Sequence, residues 1–255
     1  MKRTSKIVLG VCGSIVGLIA IIYVSMLCLN ITSKPKKTTY EFDKLTSIKV
    51  KTVETEIKIL KSNDNKNKVE FKETNRTFHK VSNIDGELTI ERRSTFYPFD
   101  FIFPNFINKL EMTLYLNDDL YINIDIDSVS GNVQLTDINA SNLTINAVSG
   151  HINAANTNAS NMSISSVSGN INLDNLISKD SLEFETVSGK INALNSDSKS
   201  IKAKSVSGSI NLNLLANKIY ETRTISGKIL LPSNENKNGN CNLETVSGNI
   251  EVTLA

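Results

Sequence analysis

Tryptophan is absent from these 255 residues, histidine occurs twice and cysteine three times. His79 has no cysteine or second histidine near it in sequence and is expected at the surface. No metal-ligand spacing can be assembled from this set. Cys12 and Cys28 fall inside an apolar run, so Cys241 is alone in the rest of the chain and no internal disulfide is available there. Charge of one sign is also lacking, with 28 Lys and Arg against 26 Asp and Glu, scattered rather than clustered. That balance excludes a nucleic-acid footprint. A P-loop, a nucleophile elbow and the calcium-binding nonapeptide are all missing. The carboxylate pairs Asp118/Asp119 and Asp125/Asp127 sit on turns or alternate outward, where solvation suits them better than catalysis. No catalytic residue, metal site or cofactor is expected.

What the chain does contain is one phrase repeated seven times. Val129-Ser130-Gly131 returns with glycines at Gly150, Gly169, Gly189, Gly208, Gly227 (there as Ile225-Ser226-Gly227) and Gly248, spaced 19, 19, 20, 19, 19 and 21 residues apart. Such a period marks a repeat architecture. Two and four residues after each glycine come apolar pairs such as Ile152 and Ala154, or Ile171 and Leu173. Seven and five residues before the next come Leu143 and Ile145, or Leu182 and Phe184. Both pairs alternate with polar residues, as strands with one buried face do. Each repeat therefore reads as two short strands joined by Asn- and Ser-rich turns. The inward parity slips by one residue just before Ser-Gly, and glycine suits such a crowded bend.

One repeat cannot bury its own apolar face, but parallel stacking of copies can. The expected fold is all-β: a single-chain parallel β-solenoid of about seven 19–21-residue rungs, capped by a non-repetitive β region and preceded by one N-terminal transmembrane helix. Handedness does not follow from the pattern. Asn153, Asn172, Asn192 and Asn211 share one outward position. They would form either a polar binding surface or, as preferred here, a ladder of amides bonded to each other. His151 holds the turn position after a repeat glycine, and Cys241 an inward position, where it reads as a small buried hydrophobe.

Residues 1–6 form a basic flank, and residues 7–29 are apolar and uncharged. As a helix that run would span about 34 Å, enough for the hydrocarbon core of a bilayer. An uncleaved anchor is expected over a cleaved signal or lipidation at Cys28, because Ser25-Met26-Leu27 makes a poor lipobox and no small-residue cleavage site closes the run. Lysines flank both ends, so charge alone leaves orientation open. The short N-terminal flank and the cysteine usage place the bulk of the chain outside the cytoplasm, as a single-pass protein of the cell membrane. Residues 30–41 read as a linker, 42–127 as a non-repetitive β region covering the first rung, and 128–255 as the repeats.

Two places invite contacts. Phe96, Tyr97, Phe99, Phe101, Phe103 and Phe106 lie in a segment punctuated by Pro98 and Pro104. It serves either as a membrane- or partner-docking loop or as a plug under the first rung. At the other end the chain stops at Ala255, directly after a strand pattern through Leu254. That edge is either covered by another part of the fold or paired with a second molecule.

The span, the strand-rich half and the tandem (Val/Ile)-Ser-Gly-x-(Ile/Val) rungs together resemble the bacterial putative-adhesin domain of unknown function, which includes LiaG-like proteins of Gram-positive envelope-stress operons. The resemblance covers residues 45–255. It implies a β-helix-like domain outside the membrane, non-catalytic, acting by surface contacts in adhesion or the envelope-stress response. The expected partners are the lipid bilayer through residues 7–29 and envelope proteins or glycans, with self-association at the C-terminal edge as a further expectation. A self-assembling scaffold and a glycan-active enzyme are the alternatives. The resemblance does not account for the aromatic segment or for a bare C-terminal end.

Overall fold

The computed structural model describes Ile21 and residues 35–74, 77–94, 110–117, 120–233 and 237–255. Those residues form seventeen strands of one continuous sheet. In chain order they are β1 Lys36–Phe42, β2 Ser47–Lys61, β3 Asn67–Glu73, β4 Thr77–Ile84, β5 Glu87–Ser94, β6 Leu110–Leu116, β7 Tyr121–Ser130, β8 Val133–Thr136 and β9 Asn139–Ser149. There follow β10 Ile152–Ser168, β11 Ile171–Ser188, β12 Ile191–Ser207, β13 Ile210–Leu214, β14 Ile219–Ser226, β15 Ile229–Leu230, β16 Asn240–Ser247 and β17 Ile250–Leu254.

The repeats stack in parallel and in register. Ile152 lies between Val133 and Ile171, and Ile171 beside Ile191. Met162 and Ile164 lie beside Leu143 and Ile145 on one side and Leu182 and Phe184 on the other. All of these are buried, and their columns are the core of a β-solenoid.

Each rung has three legs rather than the two expected from the apolar pattern. Along β10 the buried residues run Ile152, Ala154, then Thr157, Ala159, then Met162, Ile164, Ser166. The parity slips twice within that strand, besides the slip at glycine. One slip is at Asn156, which takes φ 49°, and the equivalent Asp137, Asn175 and Asn195 also lie in the left-handed region. Asn and Asp tolerate that conformation best among residues with a Cβ. The other slip falls between the buried Ala159 and Met162. The middle leg is hidden from an apolar count because its inward positions mix hydroxyls with apolar residues, Thr157 with Ala159 and Ser178 with Leu176. Thr157 Oγ1 donates to Ala155 O at 3.0 Å and Ser196 Oγ to Leu194 O at 2.8 Å, so neither is left unpaired.

At the glycine corner the rungs approach so closely that a Cβ on Gly150 would run into the carbonyl of Gly131 on the rung beneath. Glycine is required there by contact as well as by its φ of 138°.

Both ends depart from chain order. At one end β2 lies between β5 and β6 on one side and β7 and β8 on the other. The outer pair is then wrapped by antiparallel strands, with β4 on β5, β3 on β6 and β1 on β3. At the other end the last two turns are exchanged. β16 pairs with β12 and with β14, and β17 with β13 and with β15. The chain therefore passes from β13 to the outermost turn and returns to fill the gap it skipped.

The two crossing connections are tied to each other. Asn238 donates its backbone N–H to Asn217 O at 2.7 Å, and Lys218 Nζ reaches Asn238 O at 2.7 Å and Asp197 Oδ1 at 2.5 Å from a fully buried position. The strand leading to Leu254 is covered in part: β15 lies over Ile250 and Glu251, while Leu254 itself stays exposed. The outermost turn is β14 and β15.

Residues 7–29, Ile21 apart, lie outside the described residues, as does the whole aromatic segment from Phe96 to Phe106. Among the described residues no helix is long and apolar enough to cross a membrane.

Candidate contact surface

The alternation that sends −7, −5 and −3 inward (relative to each glycine) must send −2 outward. That position is the valine of Val-Ser-Gly. In the stack Val53, Val129, Val148, Val167, Val187, Val206 and Val246 follow one another, each 40 to 50 % exposed, and Ile225 ends the column at 74 %. The flanking registers Ser128↔Ala147, Ala147↔Ser166, Ser166↔Thr186, Thr186↔Ser205, Ser205↔Thr245 and Thr245↔Thr224 fix that order. At the usual strand spacing the column is about 34 Å long. Scattered apolar side chains on a surface are ordinary, whereas one continuous stripe of them is not. In the sequence these valines mark the period, and their outward direction follows from parity alone.

Beside the valines runs a second outward column, and the two enclose shallow grooves. One of ≈ 560 Å³ is bordered by Val167, Val187, Val206 and Ile225 against Glu185, Lys204, Glu244 and Arg223. Another of ≈ 520 Å³ is bordered by Val53, Val129 and Val148 with Lys51, Arg92 and Asp127. The charges alternate in spatial order: Glu185, Lys204, Glu244, Arg223. Lys204 and Glu244 are 3.2 Å apart, and Lys202 bonds to Glu183 and lies 3.4 Å from Glu185. The bond to Glu183 holds the Lys202 ammonium above its usual value. Opposite charges in register favour one stacking order and leave no excess charge of one sign for an acidic or basic ligand.

A third groove, ≈ 530 Å³, follows the asparagine column. Here the amides bond to each other as expected: Asn172 Nδ2 to Asn153 Oδ1 at 3.0 Å, Asn192 to Asn172 at 3.0 Å and Asn211 to Asn192 at 2.9 Å. At the glycine turn a further ladder includes His151, whose backbone N–H donates to Asn132 and whose Nδ1 accepts from Asn170 N at 3.1 Å. It is a turn residue with a structural task.

His79 is not at the surface. It is buried between β3 and β2, stacked on Phe71 at 4.6 Å, with Nε2 3.1 Å from Thr55 Oγ1 and Nδ1 3.3 Å from Glu73 Oε2. Burial pushes its pKa down, against the pull of Glu73. The antiparallel wrap produces this site, and no local pattern around His79 signals it. Cys241 is buried as expected, and burial pushes its thiol up to about 12, so it is inert as a nucleophile. Among the described residues no group of three or more His, Cys, Asp or Glu could hold a metal ion. The seven repeat glycines line the corner beside the valines, while the aromatic candidates Phe96 to Phe106 lie outside the described residues.

Comparison with known proteins agrees with this architecture. The family model described as Toastrack DUF4097 matches residues 45–255. No curated protein matches the chain. Among solved structures, a putative adhesin from Bacteroides fragilis NCTC 9343 is 19% identical, with 86% of this chain and 97% of that chain covered and a TM-score of 0.51. A putative adhesin from Parabacteroides distasonis ATCC 8503 is 15% identical over 84% of this chain and 98% of that one, TM-score 0.47. A putative cell adhesion protein from Clostridium sporogenes ATCC 15579 is 11% identical over 87% and 100%, TM-score 0.39. The likeness to the Bacteroides protein is one of fold.

Proposed function

This chain belongs to the Toastrack DUF4097 family, and from that premise we propose that it is a non-catalytic contact protein whose valine column meets an extended or flat partner in adhesion or in the cell-envelope stress response. In this reading residues 7–29 anchor it in the cell membrane as a single pass, and the solenoid stands outside the cytoplasm. The observation that carries the contact role is the unbroken exposed stripe from Val53 to Ile225. Its neighbours support a contact role over chemistry, since the groove charges are paired across rungs and the asparagines are spent on one another. Envelope proteins and glycans are the partners whose extended surfaces suit it.

Attachment of cells expressing the full chain to envelope material tests the contact role. Val167→Asp with Val187→Asp should reduce attachment at least about tenfold, since each places a charge in an apolar contact. Asn172→Ala, on another face, should leave it intact. Equal attachment by the valine variant would rule the column out. Protease shaving of intact cells tests the location: loss of the repeats with a surviving membrane stub is expected, and full protection until lysis would put them in the cytoplasm. The alternative, a self-assembling scaffold, draws on the bare edge of β14 and β15. The less favoured glycan-active enzyme would require wall hydrolysis by the pure protein.

A further inference from the structure

The two ends of the solenoid are finished differently. The β5–β6 end is closed by antiparallel strands. At the other end, among the described residues, nothing pairs with the outer edge of β14 or β15. Ile219 donates its N–H inward to Gly239 O at 2.9 Å. Alternation of backbone groups along a strand then turns the N–H and C=O of Tyr220, Thr222 and Thr224 toward the open edge. Exposed parallel edges of this kind invite pairing.

We propose that two copies of this chain join end to end through β14, antiparallel and two-fold symmetric about Thr222. The register follows from the residues. Antiparallel pairing keeps outward residues opposite outward ones only in every second register. Centring on Thr222 sets Glu221 of each copy across from Arg223 of the other, twice, and Ile219 across from Ile225, twice. Both are outward pairs at positions where the backbones do not bond to each other and side chains come closest. Centring on Glu221 or on Arg223 instead would oppose like charges. The strand is thus complementary to its own reverse only at Thr222.

The contact also covers the half-exposed ends of the core columns at Tyr220, Ile229 and Leu231. Because the pairing is isologous and the far end is wrapped, association stops at two. Since β1 lies at that far end, the joined copies point their N-terminal ends apart, as two molecules meeting face to face would.

Sedimentation of the full chain purified in detergent tests this without any partner, so its outcome is separate from that of the valine-column test. The wild type should be a dimer. Glu221→Lys and Arg223→Glu should each weaken association at least about tenfold, and the two together should restore it, since the reversed pair is again opposite in sign. Unchanged melting of the single variants shows that they fold. A monomer at every concentration, a dimer indifferent to either reversal, no recovery in the double variant, or a mass that keeps growing with concentration would overturn the proposal.

Discussion

Lys204 reaches Glu244 at 3.2 Å, although the next repeat along the chain would offer it Arg223 at that position. The exchange of the last two turns replaces a like-charge contact with an opposite one and places Glu244 between Lys204 and Arg223. It also moves the apolar inward set Cys241, Leu243, Ile250 and Val252 to an interior level, and leaves Thr222 at the end where water reaches it.

Lys218 holds the exchanged turns in place from a fully buried position. Lys218→Ala leaves the Asp197 carboxylate and the Asn238 carbonyl without their cation and should cost about 3 kcal/mol. Urea denaturation checks the magnitude. Early proteolytic nicking within 231–239, before the rest of the solenoid is cut, checks the location.

Gly150→Ala should be among the most damaging single changes, costing about 3 kcal/mol or more. The new methyl meets the Gly131 carbonyl, and relieving that contact requires moving one whole rung against the next. Thermal melting of the variant should show a large loss, where Ser149→Ala, exposed at the same corner, should show almost none.

Asn172 both donates to Asn153 and accepts from Asn192, so Asn172→Ala breaks two ladder bonds at once. Partly solvated amides can turn to water, which limits the cost to about 1–2 kcal/mol. A melting shift with attachment unchanged would assign the ladder to stability alone.

Acid should weaken the wrapped end through His79. Its folded pKa lies below its ordinary value of 6.5 because burial disfavours the imidazolium. The unfolded chain therefore binds the proton first, and stability falls as pH drops below about 6.5 until the folded pKa is passed. Above that window His79 contributes no slope. His79→Gln should flatten stability against pH just below about 6.5, and a slope as steep as the wild type's would contradict this.

The stacking itself was legible because Val-Ser-Gly imposes a contact that only glycine allows, and because the amides recur at one outward position. The middle leg was not, since its inward positions mix Thr157, Ser178, Ser196 and Ser198 with Ile138, Ala140, Ala159 and Leu176, so no apolar pair recurs there, and its corner is a left-handed Asn or Asp. The outward valines were implied by parity alone. A sign of the exchanged turns was also present: Tyr220 and Thr222 occupy positions that hold Leu182 and Phe184, or Ile201 and Ala203, in earlier rungs. Terminal repeats of solenoids tend to be polar, so Thr222 marked the end turn. His79 gave no such sign, because its burial depends on strands that are wrapped by distant sequence.

The order of the last turns determines both the charge alternation beside the valines and the identity of the bare edge. Disulfide mapping tests it directly. Val206→Cys with Val246→Cys should close readily, since side chains on adjacent rungs stand about 4.8 Å apart at the backbone. Val206→Cys with Ile225→Cys should not close, since two rungs separate them by about 9.6 Å. Closure of the second pair and not the first would restore chain order, make β17 the outermost strand and remove the β14 contact.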